Sequence, residues 1–217
     1  IVLPFLDDGE EFYSTWGAFA EYAVIGDAEA MMEDGHTVGD GVLTEGNLGQ
    51  KKIPEGLDDV EAAMIVTYRE VYSTMKRLGF QKGKSLLLYG AGPVGLVFIT
   101  LAKYMGLSPI ICVDHTEKKL ESARKCGADY TLNFDQCDVT EEVLKILPEK
   151  ADMILDAAGV PALINQNLKL VKNFGDVCIY GETAKSEYLI NWEEAPFCFN
   201  LRFAQWPSKA EEAEVHD

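Results

Sequence analysis

The chain has 217 residues, 47% of them apolar, and a formal net charge of −17. That much apolar side chain can fill one medium domain plus a smaller piece. So acidic a surface repels phosphate backbones and acidic headgroups, which excludes nucleic acid and membrane surfaces as expected partners.

Residues 1–56 are rich in Gly, Asp and Glu. The start, IVLPFLDDGEE, lacks the basic stretch of a signal peptide. The spacing predicts one strand over 18–25 (AFAEYAVI), then turns at Glu33-Asp34-Gly35, Gly39-Asp40-Gly41 and Glu45-Gly46-Asn47. This reads as a β-rich segment without helical period. Asp58 or Asp59 is the predicted cap of a helix that runs to a stop at Gly79, with a break near Thr67. From residue 85 apolar runs alternate with helical segments. Strands are predicted over Ser85–Tyr89, Pro109–Val113, Tyr130–Leu132, Ala151–Leu155, Asp176–Tyr180 and Phe197–Phe203. Helices are predicted over Pro93–Met105, Glu117–Cys126, Val139–Leu147 and Val160–Val171, with another starting in Lys209–Val215. Continuous apolar strands separated by helices imply a parallel sheet covered on both faces, so the predicted fold is a doubly wound α/β domain. The predicted organisation is a β-rich piece over 1–56, a dinucleotide-binding domain over 57–205, and the start of a return helix over 206–217. No run reaches the roughly 18 apolar residues of a membrane span. Cys112, Cys126, Cys137, Cys178 and Cys198 are odd in number and form no CxxC, which points to a reduced, cytoplasmic setting rather than a disulfide framework.

The sharpest motif is Gly90-Ala91-Gly92-Pro93-Val94-Gly95. It follows the strand LLLY and opens the helix VGLVFITLAKYM, the context that gives a GxGxxG pattern meaning. Gly90 permits the tight turn, Gly92 leaves room for a pyrophosphate, and Gly95 lets the helix pack closely on the sheet. Pro93 suits the first helical turn, and the helix start presents free N–H groups to phosphate. The next strand, IICVD, ends in Asp114, about 20 residues past the last glycine. A carboxylate there accepts from ribose hydroxyls and opposes a 2′-phosphate, which favours NAD over NADP. His115, Lys118 and Lys119 lie close enough to soften that preference.

The segments GAFAEYAVIGD, EGLDDVEAAM, GAGPVGL, KKLESARKCGADYTLN, ADMILDAAG and DVCIYGE, in that order, resemble the medium-chain, zinc-type alcohol and polyol dehydrogenases. The resemblance implies a Rossmann domain beside a β-rich remnant of a GroES-like catalytic lobe. It implies that Gly90, Gly92, Pro93, Val94 and Gly95 meet the pyrophosphate and that Asp114 meets the ribose. It places Ala157, Ala158 and Gly159 along the adenosine, and Tyr180, Gly181 and Thr67 near the nicotinamide. It implies hydride transfer between an alcohol or polyol and NAD, with zinc in the full-length family member only. It also implies a homodimer through the edge strand at 197–203, where Phe197, Phe199, Leu201 and Phe203 alternate along one face.

The departures are as informative. No catalytic Cys, Gly-His-Glu segment or four-Cys lobe is present. His36, in Gly35-His36-Thr37, lacks the following Glu and reads as a surface loop residue. The family's third zinc ligand falls near Val66, which cannot bind a metal, and Glu70 is its nearest substitute. The chain therefore reads as a family member without the N-terminal part of its catalytic lobe and without its C-terminal return. No metal site is expected within it. Two other readings stand beside this one: a non-catalytic dinucleotide-binding or assembly module, and a zinc-free, quinone-reductase-like enzyme that prefers NADPH.

Overall fold

The computed structural model describes residues 26–48, 52–183 and 187–204. They fall into two compact units, one ending at Glu70 and one beginning at Val71. The strand expected over 18–25 and the helix expected from Lys209 lie outside the described residues.

The described residues of the first unit hold helices where no helical period was expected. They are α1 (Ala28–Glu33) and α2 (Glu45–Leu48), followed by the expected α3 (Asp59–Ala63), with no strand among the described residues. The reason is local capping. Asp27 accepts hydrogen bonds from the Glu29 and Ala30 N–H groups, which starts α1 in a stretch too short to show a period. Two of the three expected turns are there, with Gly35, Gly39 and Gly41 all at positive φ; the third, Glu45-Gly46-Asn47, is instead the start of α2. Asp58 caps α3 through the Val60 and Glu61 N–H groups. The predicted break falls at Met64, the C-cap of α3, and α4 (Ile65–Leu78) follows.

The second unit is built from β1 (Leu86–Tyr89), α5 (Pro93–Tyr104), β2 (Ile110–Asp114), α6 (Glu117–Cys126), β3 (Tyr130–Asn133), α7 (Val139–Ile146), β4 (Ala151–Asp156), α8 (Ala162–Leu170), β5 (Val171–Ile179) and β6 (Asn200–Phe203). All adjacent strands are parallel, in the order β3-β2-β1-β4-β5-β6. This is the doubly wound order of dinucleotide-binding domains, with its direction of winding reversing between β1 and β4.

The apolar runs of the central strands reflect burial on both faces. Leu86 and Leu88 point into one core cluster with Phe98, Ile99 and Ala102 of α5 and Leu120 and Ala123 of α6. Leu87 and Tyr89 point into the other, with Val139 and Val143 of α7 and Leu163 and Leu170 of α8. Cys112 and Cys178 are buried members of the first cluster. Burial and neighbouring carboxylates push both thiols up to about 12, so they serve as small apolar residues.

Two boundaries moved for tertiary reasons. Val171, read as the end of a helix, opens β5 instead: it is fully buried and pairs with Ala151 across the sheet. β6 is shorter than predicted. It starts at Asn200, Phe197 is fully exposed, and the Phe199 ring packs against Trp192, so the alternating apolar face reduces to Leu201 and Phe203. Asp176, buried at the start of the β5–β6 ladder, holds the edge strand through Arg202 Nε at 3.1 Å and Asn200 Nδ2 at 2.9 Å.

Candidate functional site

The glycine turn sits at the carboxyl end of β1, beside the point where the winding reverses. Gly90 has φ +100°, and a Cβ there would stand 3.3 Å from the backbone of Ala157 and Ala158. Its N–H donates to Val113 O at 2.8 Å, which ties the turn to β2. Gly92 is the N-cap of α5 and makes no side-chain cap; Pro93 follows at the first helical position. A Cβ on Gly92 would meet nothing within 4 Å. On Gly95 it would overlap the Gly90 carbonyl oxygen, so the helix can start this close to the turn only with glycine there. Val94 is half-buried against the first core cluster. The result is bare backbone in front of a 12-residue helix whose first amides have no intrahelical partners. Those amides carry about half a positive charge, a local attraction for anions in a chain of net charge −17.

Asp114 lies at the end of β2, with its side chain 9% exposed. Oδ2 accepts from the Ala91 N–H at 2.8 Å and Oδ1 from the Thr116 N–H at 2.9 Å. Lys119 Nζ is 3.8 Å from Oδ2. A carboxylate offers about four acceptor positions, so after these two bonds each oxygen keeps one for a sugar hydroxyl. The bond to Ala91 was not foreseen: the carboxylate also pins the middle of the glycine turn. Burial raises the Asp114 carboxyl, but the Ala91 and Thr116 N–H groups, Lys119 and the His115 N–H outweigh it and hold it below its ordinary value. Beside it His115 Nδ1 lies 2.9 Å from Asp135 Oδ1, and its ring is 5.0 Å from that of Phe134.

The other expected residues of this unit converge from β4 and β5. The Ala157 N–H extends the ladder to Tyr89 O. Gly159 takes φ +72°, and a Cβ on it would overlap the Glu182 carbonyl oxygen. A Cβ on Gly181 would in turn overlap the Gly159 nitrogen. The two loops therefore touch backbone to backbone. The Tyr180 ring stands edge-on to Phe98, centroids 5.0 Å apart. Thr67 lies half-buried in the first turn of α4, within the first unit.

Sequence reasoning missed Asp156. It ends β4, is 2% exposed, and its carboxylate accepts three backbone N–H groups: Ala158 and Gly159 on Oδ1, Val160 on Oδ2. Its carbonyl accepts from the Tyr180 and Gly181 N–H groups, both at 2.9 Å. The available signal was an acid at a strand end just before two small residues and a glycine. An open pocket at the carboxyl ends of β4, β5 and β6 is lined by Asp156, Gly159, Ile179 and Phe203, with Pro161 and Ile164 behind.

Among the described residues, ligands for zinc do not assemble. Every cysteine and two of the three histidines are among the described residues, and no three His, Cys, Asp or Glu side chains among those residues come together. His36 Nδ1 is engaged by Asp40 Oδ2 at 2.8 Å in a loop that also donates the Thr37, Val42 and Leu43 N–H groups to the same carboxylate. Zinc needs three or four such ligands converging, so no step is assigned to it here. The glycine turn does fit a dinucleotide, because the space a Gly92 Cβ would take is open.

Residues 93–199 match the family described as zinc-binding dehydrogenase. An alcohol dehydrogenase of Cupriavidus necator is 29% identical over 167 residues, 76% of this chain and 41% of that protein. An L-threonine 3-dehydrogenase of Pyrococcus horikoshii is 32% identical over 168 residues, 77% of this chain and 42% of that protein. Among solved structures, one described as a zinc-binding dehydrogenase of Sinorhizobium meliloti 1021, bound to NADP, superposes with a TM-score of 0.70 at 23% identity. It covers 76% of this chain and 51% of that one, a likeness of fold. The chain spans about two fifths of the length of the curated relatives it matches.

Proposed function

This chain belongs to the zinc-type medium-chain dehydrogenases, and from that premise we propose that it is the NAD-binding part of an oxidoreductase acting on an alcohol or polyol. The observation that carries the reading is the bare helix start at Gly92, set beside the Asp114 carboxylate. Gly90, Gly92, Pro93, Val94 and Gly95 receive the pyrophosphate, with the first amides of α5 donating to it. Asp114 accepts from the ribose diol, and its charge selects NAD against the 2′-phosphate of NADP. Ala157, Ala158 and Gly159 line the adenosine side; Tyr180 and Gly181 line the nicotinamide side. The cofactor, when bound, supplies the hydride chemistry, and the protein supplies binding and orientation. We assign the first residues, up to about 56, to the catalytic lobe. The five free cysteines support a cytoplasmic setting. No described helix is long and apolar enough to cross a membrane.

Calorimetric titration tests the reading. Saturable NAD binding, tighter than NADP binding, is expected, and a panel of alcohols should give no turnover in this chain alone. Absence of NAD binding at millimolar cofactor would overturn the cofactor assignment. Zinc-dependent turnover would overturn the expectation of inactivity. A second copy is the proposed partner, through the outer edge of β6. That edge is the last in the sheet order, with Leu201 and Phe203 exposed, and an uncovered edge strand invites pairing. Sedimentation should give twice the monomer mass for the chain and monomer mass for Leu201→Lys; a monomeric parent chain refutes it.

A further inference from the structure

We propose that Asp156 is a positioning residue for the cofactor: its carboxylate sets the path of residues 157–160, which keep the glycine turn and the end of β5 at the spacing a dinucleotide requires. The role rests on the dinucleotide reading above. Three observations carry it. First, the carboxylate accepts the Ala158, Gly159 and Val160 N–H groups at 2.8, 2.9 and 3.1 Å. These amides precede α8, which begins at Ala162 with Pro161 as its N-cap, so the bonds shape the loop and do not cap the helix. Second, that loop touches both halves of the site. The Cβ position of Gly90 lies 3.3 Å from Ala157 and Ala158, and Gly159 meets Gly181 and Glu182 backbone to backbone. Third, the carbonyl of Asp156 takes the Tyr180 and Gly181 N–H groups. Five amides from two loops thus converge on one buried residue at the reversal of the sheet's winding. Asp156 is 2% exposed and its carboxylate is taken up by three loop amides, so its effect on a ligand runs through the loop.

The geometry also explains why a carboxylate stands here. A side-chain amide or hydroxyl has one oxygen, whereas the loop presents N–H groups to both Oδ1 and Oδ2. Asparagine retains an oxygen for Ala158 and Gly159 and places an N–H donor opposite Val160. Alanine leaves all three amides without their acceptor.

The test uses the whole chain, with NAD as the probe. Asp156→Ala is expected to raise the Kd for NAD by about tenfold or more, measured well below its melting temperature, and Asp156→Asn by no more than about threefold. Hydrogen exchange at Ala158, Gly159 and Val160 should quicken about tenfold or more in Asp156→Ala, and at Val160 alone in Asp156→Asn, with Leu88 unchanged in both. A merely structural role would lower the melting temperature and quicken exchange at these amides but leave the Kd of the folded protein alone. If Asp156→Ala does not fold, Asp156→Ser, which also lacks the second oxygen, takes its place in the same titration. NAD affinity in the folded Asp156→Ala or Asp156→Ser chain equal to that of the parent, or unchanged exchange at all three amides, overturns the role of Asp156. A wild-type chain that binds no dinucleotide overturns the functional reading, and this role with it.

Discussion

Alanine at Gly95 should melt the second unit roughly 4–8 °C lower, whereas alanine at Gly92 should leave the melting temperature within about 2 °C and abolish most NAD binding. The contrast follows from what each new methyl would meet. At Gly95 it overlaps the Gly90 carbonyl oxygen and stands 3.0 Å from the Gly90 carbonyl carbon. Both are backbone atoms, so α5 must lift off β1, an overpacking cost of about 3 kcal/mol. The better helix propensity of alanine returns about 1 kcal/mol. The net is about 2 kcal/mol, and the displaced turn should bind NAD about tenfold more weakly. At Gly92 the methyl meets nothing within 4 Å, and the backbone there is extended, with φ −75° and ψ 179°. Alanine is a poorer N-cap than glycine by about 0.5–1 kcal/mol, offset by a stiffer unfolded chain worth about 0.4–1 kcal/mol. Stability is therefore nearly unchanged while the methyl stands where the pyrophosphate must approach. Thermal melts and calorimetry on the two variants separate the effects. A Gly92→Ala chain that binds NAD as well as the parent would refute the assigned phosphate site.

The contrast between those glycines marks how far the sequence could be read. The path from β1 through the turn to Asp114 was legible because its determinants are local: an apolar run, a glycine spacing, a helix of matching length and an acid at the next strand end. Even there, the bond from Ala91 to Asp114 was invisible, since it joins residues 23 apart across a strand boundary. Asp156 looked like an ordinary strand terminus because three of its partners are main-chain amides, which carry no residue signature. Val171 continued the apolar spacing of α8, and only its pairing with Ala151 turned it into strand. The helices α1 and α2, of six and four residues, were too short to register a period. In each case the deciding contact was non-local or main-chain.

The charge of the chain sharpens the case for Asp114, since an anionic ligand must bind to a molecule of net charge −17. Attraction comes from the α5 amides, and discrimination from the carboxylate next to them. Asp114→Asn should therefore weaken NAD binding by about tenfold, since a charge-assisted bond to a sugar hydroxyl is worth about 1.5–3 kcal/mol against about 1 kcal/mol for a neutral one. The same change should improve NADP relative to NAD by about tenfold or more, because the repulsion is gone and Lys119, 3.8 Å from the carboxylate, becomes available to a 2′-phosphate. The pH dependence has a definite sign. The folded carboxyl is held below its ordinary value of 3.8, so what it adds to stability is complete above that value and disappears as pH falls through the lower folded one. Between pH 5 and 8, then, neither stability nor NAD affinity should change on account of Asp114, and both should drop only in stronger acid. Competitive titrations of NAD and NADP, repeated across pH on parent and variant, measure all of this. An unchanged cofactor ratio in Asp114→Asn would show that the preference is set elsewhere, and a parent chain that prefers NADP would remove the selective role of the carboxylate altogether.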